Sequence, residues 1–322
     1  MPASASARWS RPGPCFRRAA MFNRLTPADH PALAKFFEGH RYPLCEYSLT
    51  SIIVWNRCLY EVSWKLDGDL LLLAETELHP PASRRLLMPL PCPFRDLPPA
   101  ELAEIACRNR GDRYYYIPET YVQPRRAELE ALFTIAEQPG FMDYIYSTRA
   151  LADLAGSKYA KKRNLIAQFN KQTAAVRKVE VRPITSAVAC NCLNLLDRWP
   201  HSPEETGAQM EMLDCERKAI INSLKNFEAL QMQGVLAVID GEPAGFAFGS
   251  RLNADTFVLN FEKALDDVKG LYQFLDNELA KRLPPQYALI NKESDLQKPG
   301  LIKTKESYYP CQKVKSFMLT LK

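Results

Sequence analysis

Apolar residues recur along this chain with two periods. Short alternating or continuous runs at Cys58–Leu66, Leu70–Glu75, Arg84–Pro89 and Arg113–Ile117 predict strands, and Asp67-Gly68 joins the first two as a hairpin. Helical spacing predicts helices over Thr26–Glu38, with Thr26 as cap and Pro27 in its first turn, over Pro99–Asn109 and over Arg125–Ala136. Past Asp143 the pattern starts afresh. A strand at 143–146 precedes a short helix capped by Ser147 or Thr148 and a longer one from Ser157 to Gln172. Strand 177–182 and helices Ala187–Arg198 and Glu204–Leu230 follow. Strands Gly234–Asp240, Ala244–Ser250 and Thr256–Phe261 come next, with Asp240-Gly241 turning the first pair. Helix Leu271–Arg282, strand Tyr287–Ile290 and a last strand at Lys313–Leu321 complete the chain.

Helices, a three-stranded antiparallel run, then helix–strand–loop–strand is the order of an acetyltransferase-type mixed sheet. The shorter first unit reads as a diverged copy, giving an α+β fold of two acetyltransferase-like (GNAT) domains in tandem. The expected boundaries are 21–140 and 141–322, with 1–20 a disordered tail or upstream start and the site in the second domain. A length of 322 residues agrees with two domains.

With 47% hydrophobic and 25% charged residues, a normal core is available without disulfides or metals. No run approaches the roughly 18 apolar residues of a spanning helix, so a lipid substrate would have to be met at a surface. Nine cysteines, an odd number with no Cys-x-x-Cys pair, read as reduced thiols of a cytoplasmic protein. The histidines (30, 40, 79 and 201) lack ligand spacing, and no metal is expected. Tyr114-Tyr115-Tyr116 reads as a half-buried strand rather than a base-stacking platform.

Charge is where the chain departs from the ordinary. Between Lys158 and Arg182 lie eight basic residues and one acid, Glu180. On the helix beginning there, Lys161, Asn164, Gln168 and Lys171 share one side, either a solvated face or a surface for phosphates and RNA. Residues 291–310 concentrate Asn291, Glu293, Asp295, Lys303, Lys305, Ser307 and Tyr308 after a strand, with Pro299-Gly300 as a turn. Such a segment is either a solvated connection or a binding site at a strand's carboxyl end, beside Glu262. Gly245, Ala247 and Gly249 mark a strand that either admits a ligand or packs tightly under a helix. Asp266-Asp267-Val268-Lys269-Gly270, before the next helix, is a poor pyrophosphate cradle and disfavours coenzyme A.

Several of these residues carry a family likeness. Arg41-Tyr42-Pro43, Glu46-Tyr47-Ser48, Lys161-Lys162-Arg163-Asn164, Phe261-Glu262-Lys263, Asn291-Lys292-Glu293, Asp295-Leu296 and Lys303-x-Lys305-x-Ser307-Tyr308-x-Pro310 resemble the carboxyl-terminal domain of phosphatidylglycerol lysyltransferases and stand-alone relatives. The likeness runs from Met21 to the end. It implies transfer of an aminoacyl group from aminoacyl-tRNA as co-substrate, with no bound cofactor, to a small-molecule or lipid-headgroup acceptor. Glu293, Lys305 and Tyr308 would be catalytic, and Glu262, Asn291, Asp295, Lys303 and Ser307 would bind substrate. Lys161, Lys162, Arg163 and Asn164 would take tRNA phosphates. Two departures limit it: Lys292 stands where the family usually has arginine, and the lysyltransferases' membrane half is missing. A non-catalytic RNA- or anion-binding module and an acyl-coenzyme-A N-acyltransferase are the alternatives.

Overall fold

The computed structural model describes residues 21–58, 60–78, 83–197 and 207–322. The expected tail at 1–20, the helix ends expected within 198–206, His79 and His201 lie outside them. Two mixed sheets organise the described residues. Across the first run Asn23–Arg24, Tyr60–Asp67, Leu70–Glu77, Arg84–Leu86, Arg113–Pro118, Ser316–Leu321 and Phe133–Glu137. Leu90–Pro91 adds to it by pairing with Leu70–Glu77. Across the second run Val179–Pro183, Gln233–Ile239, Glu242–Arg251, Thr256–Ala264, Leu289–Ser294, Asp143–Ser147 and Gln312–Val314.

The two orders match strand for strand. Each has one parallel pair, Arg84–Leu86 with Arg113–Pro118 and Thr256–Ala264 with Leu289–Ser294, and each parallel pair is bridged by a helix, Pro99–Arg108 or Leu271–Arg282. The fold is therefore two acetyltransferase-like units in tandem. They also share a strand. Asp143–Ser147, which opens the second unit, lies between two strands of the second sheet, whereas the chain's end, Ser316–Leu321, crosses to lie between two strands of the first.

Five expectations are corrected. The last strand is two, Gln312–Val314 and Ser316–Leu321, because the chain crosses from one sheet to the other at Lys315. Pro299-Gly300 opens helix Pro299–Glu306, proline occupying a first turn where its missing N–H costs nothing. Helix Arg126–Leu132 ends where Phe133–Glu137 begins as a strand. Helix Leu49–Trp55 was not expected: Leu49 to Val54 are all buried, so no polar face gives it a period. Finally, Cys58 and Cys215 form a disulfide across 157 residues of sequence. Folding brings those two together; spacing could not.

The glycine-rich strand packs tightly. A Cβ on Gly245 would come within 2.6 Å of Leu275 Cδ1, so the glycine lets helix Leu271–Arg282 lie on the sheet. The sheet parts one strand further on, between Thr256–Ala264 and Leu289–Ser294. Tyr114 and Tyr116 are buried, consistent with a strand facing the core.

Candidate active site

Strands Thr256–Ala264 and Leu289–Ser294 pair only through Thr256–Leu289, Phe257–Ile290 and Val258–Asn291. Beyond Val258 they part, and a cavity of about 190 Å³ opens between them. Leu259, Asn260 and Glu262 line it from one strand, Lys292 and Glu293 from the other, and Leu301, Thr304, Lys305 and Tyr308 close it from helix Pro299–Glu306 and its exit.

Local backbone aims these groups. Glu293 has φ 60°, in the left-handed region that a non-glycine residue enters at a cost. Its N–H donates to Asn291 Oδ1 (2.6 Å), and pairing with Asp143–Ser147 jumps from Asn291 to Ser294. The resulting bulge turns Glu293 out of the strand's alternation into the cavity. Asn260 Nδ2 donates to Glu293 Oε1 (3.2 Å) and to Ser51 Oγ (2.8 Å), while Ser250 Oγ donates to Asn260 Oδ1 (2.8 Å). A buried polar chain from the first unit thus holds the carboxyl in place.

The charges are tightly coupled. Lys292 Nζ lies 2.5 Å from Asp276 and 3.6 Å from Glu262 Oε2; all three side chains are largely buried. Burial works against the Lys292 charge, but Asp276 and Glu262 more than offset it and raise its pKa. Glu262 is pushed up to about 8 by burial and by the Asp276 charge, with Lys292 pulling the other way. Its Oε1 is buried with no hydrogen-bond partner. Burial also lifts Glu293 to about 8 against the pull of Lys305, and depresses Lys305 below the ordinary lysine range. Lys305 Nζ donates to the carbonyls of Lys292 and Glu293. Two ammoniums lie near the Tyr308 ring, Lys162 at 3.5 Å and Lys292 at 4.8 Å from its centroid.

Of the residues marked in the sequence, Glu262, Glu293, Lys305 and Tyr308 meet at this cavity. Asn291 is buried beneath it, donating to Pro43 O and Asp143 Oδ2. Asp295 is buried beside it, accepting from Tyr144 Oη (2.6 Å) and Gln297 N. Lys303 is exposed. Lys162 is buried, donating to Ser307 Oγ (2.7 Å), and burial lowers it to about 8. Lys161, Arg163 and Asn164 are exposed; Arg163 donates to Leu154 O and Gly156 O. Within the wider basic stretch, Lys178 and Arg182 pair with Glu180, and Arg177 with Asp240.

Asp276, Lys292 and Asn260 were not picked out as site residues. Asp276 lies mid-helix with no local signal, and only its place opposite Lys292 reveals it. Cys45 Sγ and oxygens of Glu46 and Asp143 lie within 4.8 Å of one another, close enough to hold a cation. Asp143, however, already accepts from Cys45 N, Cys45 Sγ and Asn291 Nδ2, so its oxygens serve the protein.

No described helix is long and apolar enough to cross a membrane. No curated protein matches the chain. A conserved protein of unknown function from Bacteroides thetaiotaomicron is 31% identical, covering 94% of this chain and 99% of its own, with a TM-score of 0.81. The C-terminal domain of a putative lysylphosphatidylglycerol synthetase from Agrobacterium fabrum is 10% identical, with 91% of each chain covered and a TM-score of 0.56, and shares the fold. A tandem GNAT protein from the clavulanic acid pathway is 12% identical over 94% of this chain and 98% of its own, at a TM-score of 0.49. The family model "Phosphatidylglycerol lysyltransferase, C-terminal" matches residues 114–320. Family and fold together support an acyl-transferring enzyme, and the chain belongs to the family of phosphatidylglycerol lysyltransferase C-terminal domains.

Proposed function

We propose that this protein moves an aminoacyl group from aminoacyl-tRNA to an amine or hydroxyl acceptor, in the cavity between the parting strands. One observation carries the reading: Glu262, with one buried oxygen lacking any partner, faces the same 190 Å³ space as Lys292, Glu293 and Lys305. An aminoacyl donor brings an ammonium, and Glu262 Oε1 is the acceptor that would receive it. Glu293, lifted toward neutrality, takes the proton of the attacking group. Lys305 spends two N–H groups on backbone carbonyls and keeps a third for the developing oxyanion. An ester donor is already activated, so positioning and charge are what the site must supply.

Coenzyme A is the poorer donor. The start of helix Leu271–Arg282, where its pyrophosphate would sit, is covered: a Cβ on Gly270 would meet Leu165 O at 2.2 Å. The test is a radiolabelled mixture of charged tRNAs offered to the purified protein. Protein-dependent transfer of label to a small product, lost in Glu293→Gln, supports the reading. Salt-sensitive RNA binding without any covalent product would leave a binding module instead.

A further inference from the structure

A second cavity, of about 270 Å³, lies at the seam of the two units and shares Glu293 with the first. Tyr60, Val62, Glu75 and Tyr116 line it from the first sheet, and Glu293 and Ser294 from the second. Tyr116 and Glu293 occupy matching places in the two sheets. Each stands two residues past the strand's pairing with its parallel neighbour (Leu86–Tyr114 and Val258–Asn291), and each has φ close to 60°. The cavity thus sits where the duplicated creases face each other.

Its lining is mostly apolar, with Ile52, Trp55, Phe141, Met212 and Leu296 joining the sheet residues. The ionisable side chains among the lining residues, cysteines and tyrosines aside, are carboxyls: Glu46, Glu75 and Glu293. Among the described residues no lysine or arginine lines it. Glu75 is neutralised by Arg85 at 2.6 Å, whereas Glu46 Oε2 is buried with no hydrogen-bond partner.

Building on the proposed transfer reaction, we infer that this cavity seats the acyl acceptor, and that the acceptor is a primary amine on an apolar body of aromatic size. An anionic phospholipid headgroup would find no cation among the described lining residues. A sugar would face apolar walls. An apolar cavity of about 150 Å³ takes a benzene ring, so the observed volume has room for a ring and a short arm. The amine enters as an ammonium beside Glu46 and Glu293. It loses one proton to the Glu46 carboxylate, its nitrogen attacks the ester carbonyl carbon, and the attacking nitrogen gives a second proton to Glu293. The C–N bond forms and the C–O ester bond breaks; the proton on Glu293 passes to the leaving ribose oxygen, and the proton on Glu46 is released to solvent as the product leaves. Burial and the Asp143 charge raise Glu46, and Glu293 adds to the rise, which suits carboxyls that must take up a proton.

The test is binding without a donor, read by calorimetry and Trp55 emission. The probes are 2-phenylethylamine, 3-phenylpropionate and short-chain phosphatidylglycerol. Saturable binding of the amine, weakened at least tenfold by Glu46→Gln and several-fold by Met212→Lys at the exposed rim, is expected. The acid and the lipid should not compete. Because Met212 is exposed, its variant tests the charge preference even if Glu46→Gln fails to fold. Absence of amine binding, displacement by phosphatidylglycerol, or unchanged affinity in Met212→Lys would overturn the inference. Amine binding with no acyl product from any charged tRNA would sink the transfer reading and leave the pocket assignment standing; product formed from an acceptor that does not occupy this cavity would do the reverse.

Discussion

Lys292 is the residue on which the electrostatics of the crease turn. It compensates two buried acids, Asp276 and Glu262, and removing it leaves both exposed to each other in a dry site. Lys292→Met should therefore cost about 3–5 kcal/mol in urea unfolding at pH 8, with part regained in the double variant with Asp276→Asn. Lys292→Arg, the residue the family usually carries, should retain much of the stability, because the positive charge remains. Glu262 and Glu293 make a second prediction through protons. Both are raised to about 8, well above the unfolded carboxyl range. Between about pH 4.5 and 8 the folded chain holds protons that the unfolded chain has released, so stability falls as pH rises through that window. Thermal melts from pH 5 to 8.5 check it, and Glu293→Gln should flatten the slope. Activity runs the other way: transfer should increase as Glu293 ionises near pH 8, and a rate independent of pH from 6 to 9 would remove Glu293 as the base.

At the scale of elements, the glycines show what the sheet must accommodate. Gly245→Ala would push a methyl into Leu275 and the Lys263 carbonyl, and should cost about 1–3 kcal/mol in a denaturant midpoint. Gly270→Ala should cost at least as much, since its φ is +85° and Leu165 O blocks the space. Strands with an alternating or continuous apolar run were legible, as were the helices with one polar face. Leu49–Trp55 was not, because a helix buried on every side has no period to read. Nor was the path of 291–310. Its charges were visible, but as a loop; Asn291 to Ser294 extend the strand, and Lys303 to Glu306 form a helix. The spacing that puts Lys305 inward and leaves Lys303 exposed is helical, and Pro299-Gly300 concealed it by resembling a turn. Glu262, Glu293, Lys305 and Tyr308 could be named from the motif alone. Asp276 needed the packing of Leu271–Arg282 on the sheet.

The whole molecule is tied together by a shared strand. The first sheet holds Ser316–Leu321 from the end of the second unit, and the Arg41–Ser51 segment of the first unit reaches the site of the second through Pro43 O, Cys45 N and Ser51 Oγ. Truncation after Lys315 would remove the strand between Arg113–Pro118 and Phe133–Glu137. It should abolish cooperative unfolding of both units together, seen as loss of a single sharp transition. The Cys58–Cys215 bond, joining the end of one helix's turn to helix Gly207–Lys225, should add about 2–4 kcal/mol to the oxidised protein.

The central claim is that the parting of Thr256–Ala264 from Leu289–Ser294 makes the donor site. A crystal soaked with an amide-linked aminoacyl adenosine, which mimics the tRNA terminus and cannot be cleaved, tests it most directly. The account predicts difference density in the 190 Å³ cavity, with the ammonium at hydrogen-bond distance from Glu262 Oε1 and the carbonyl beside Lys305. Density confined to the outer basic surface, with that cavity empty, would contradict it.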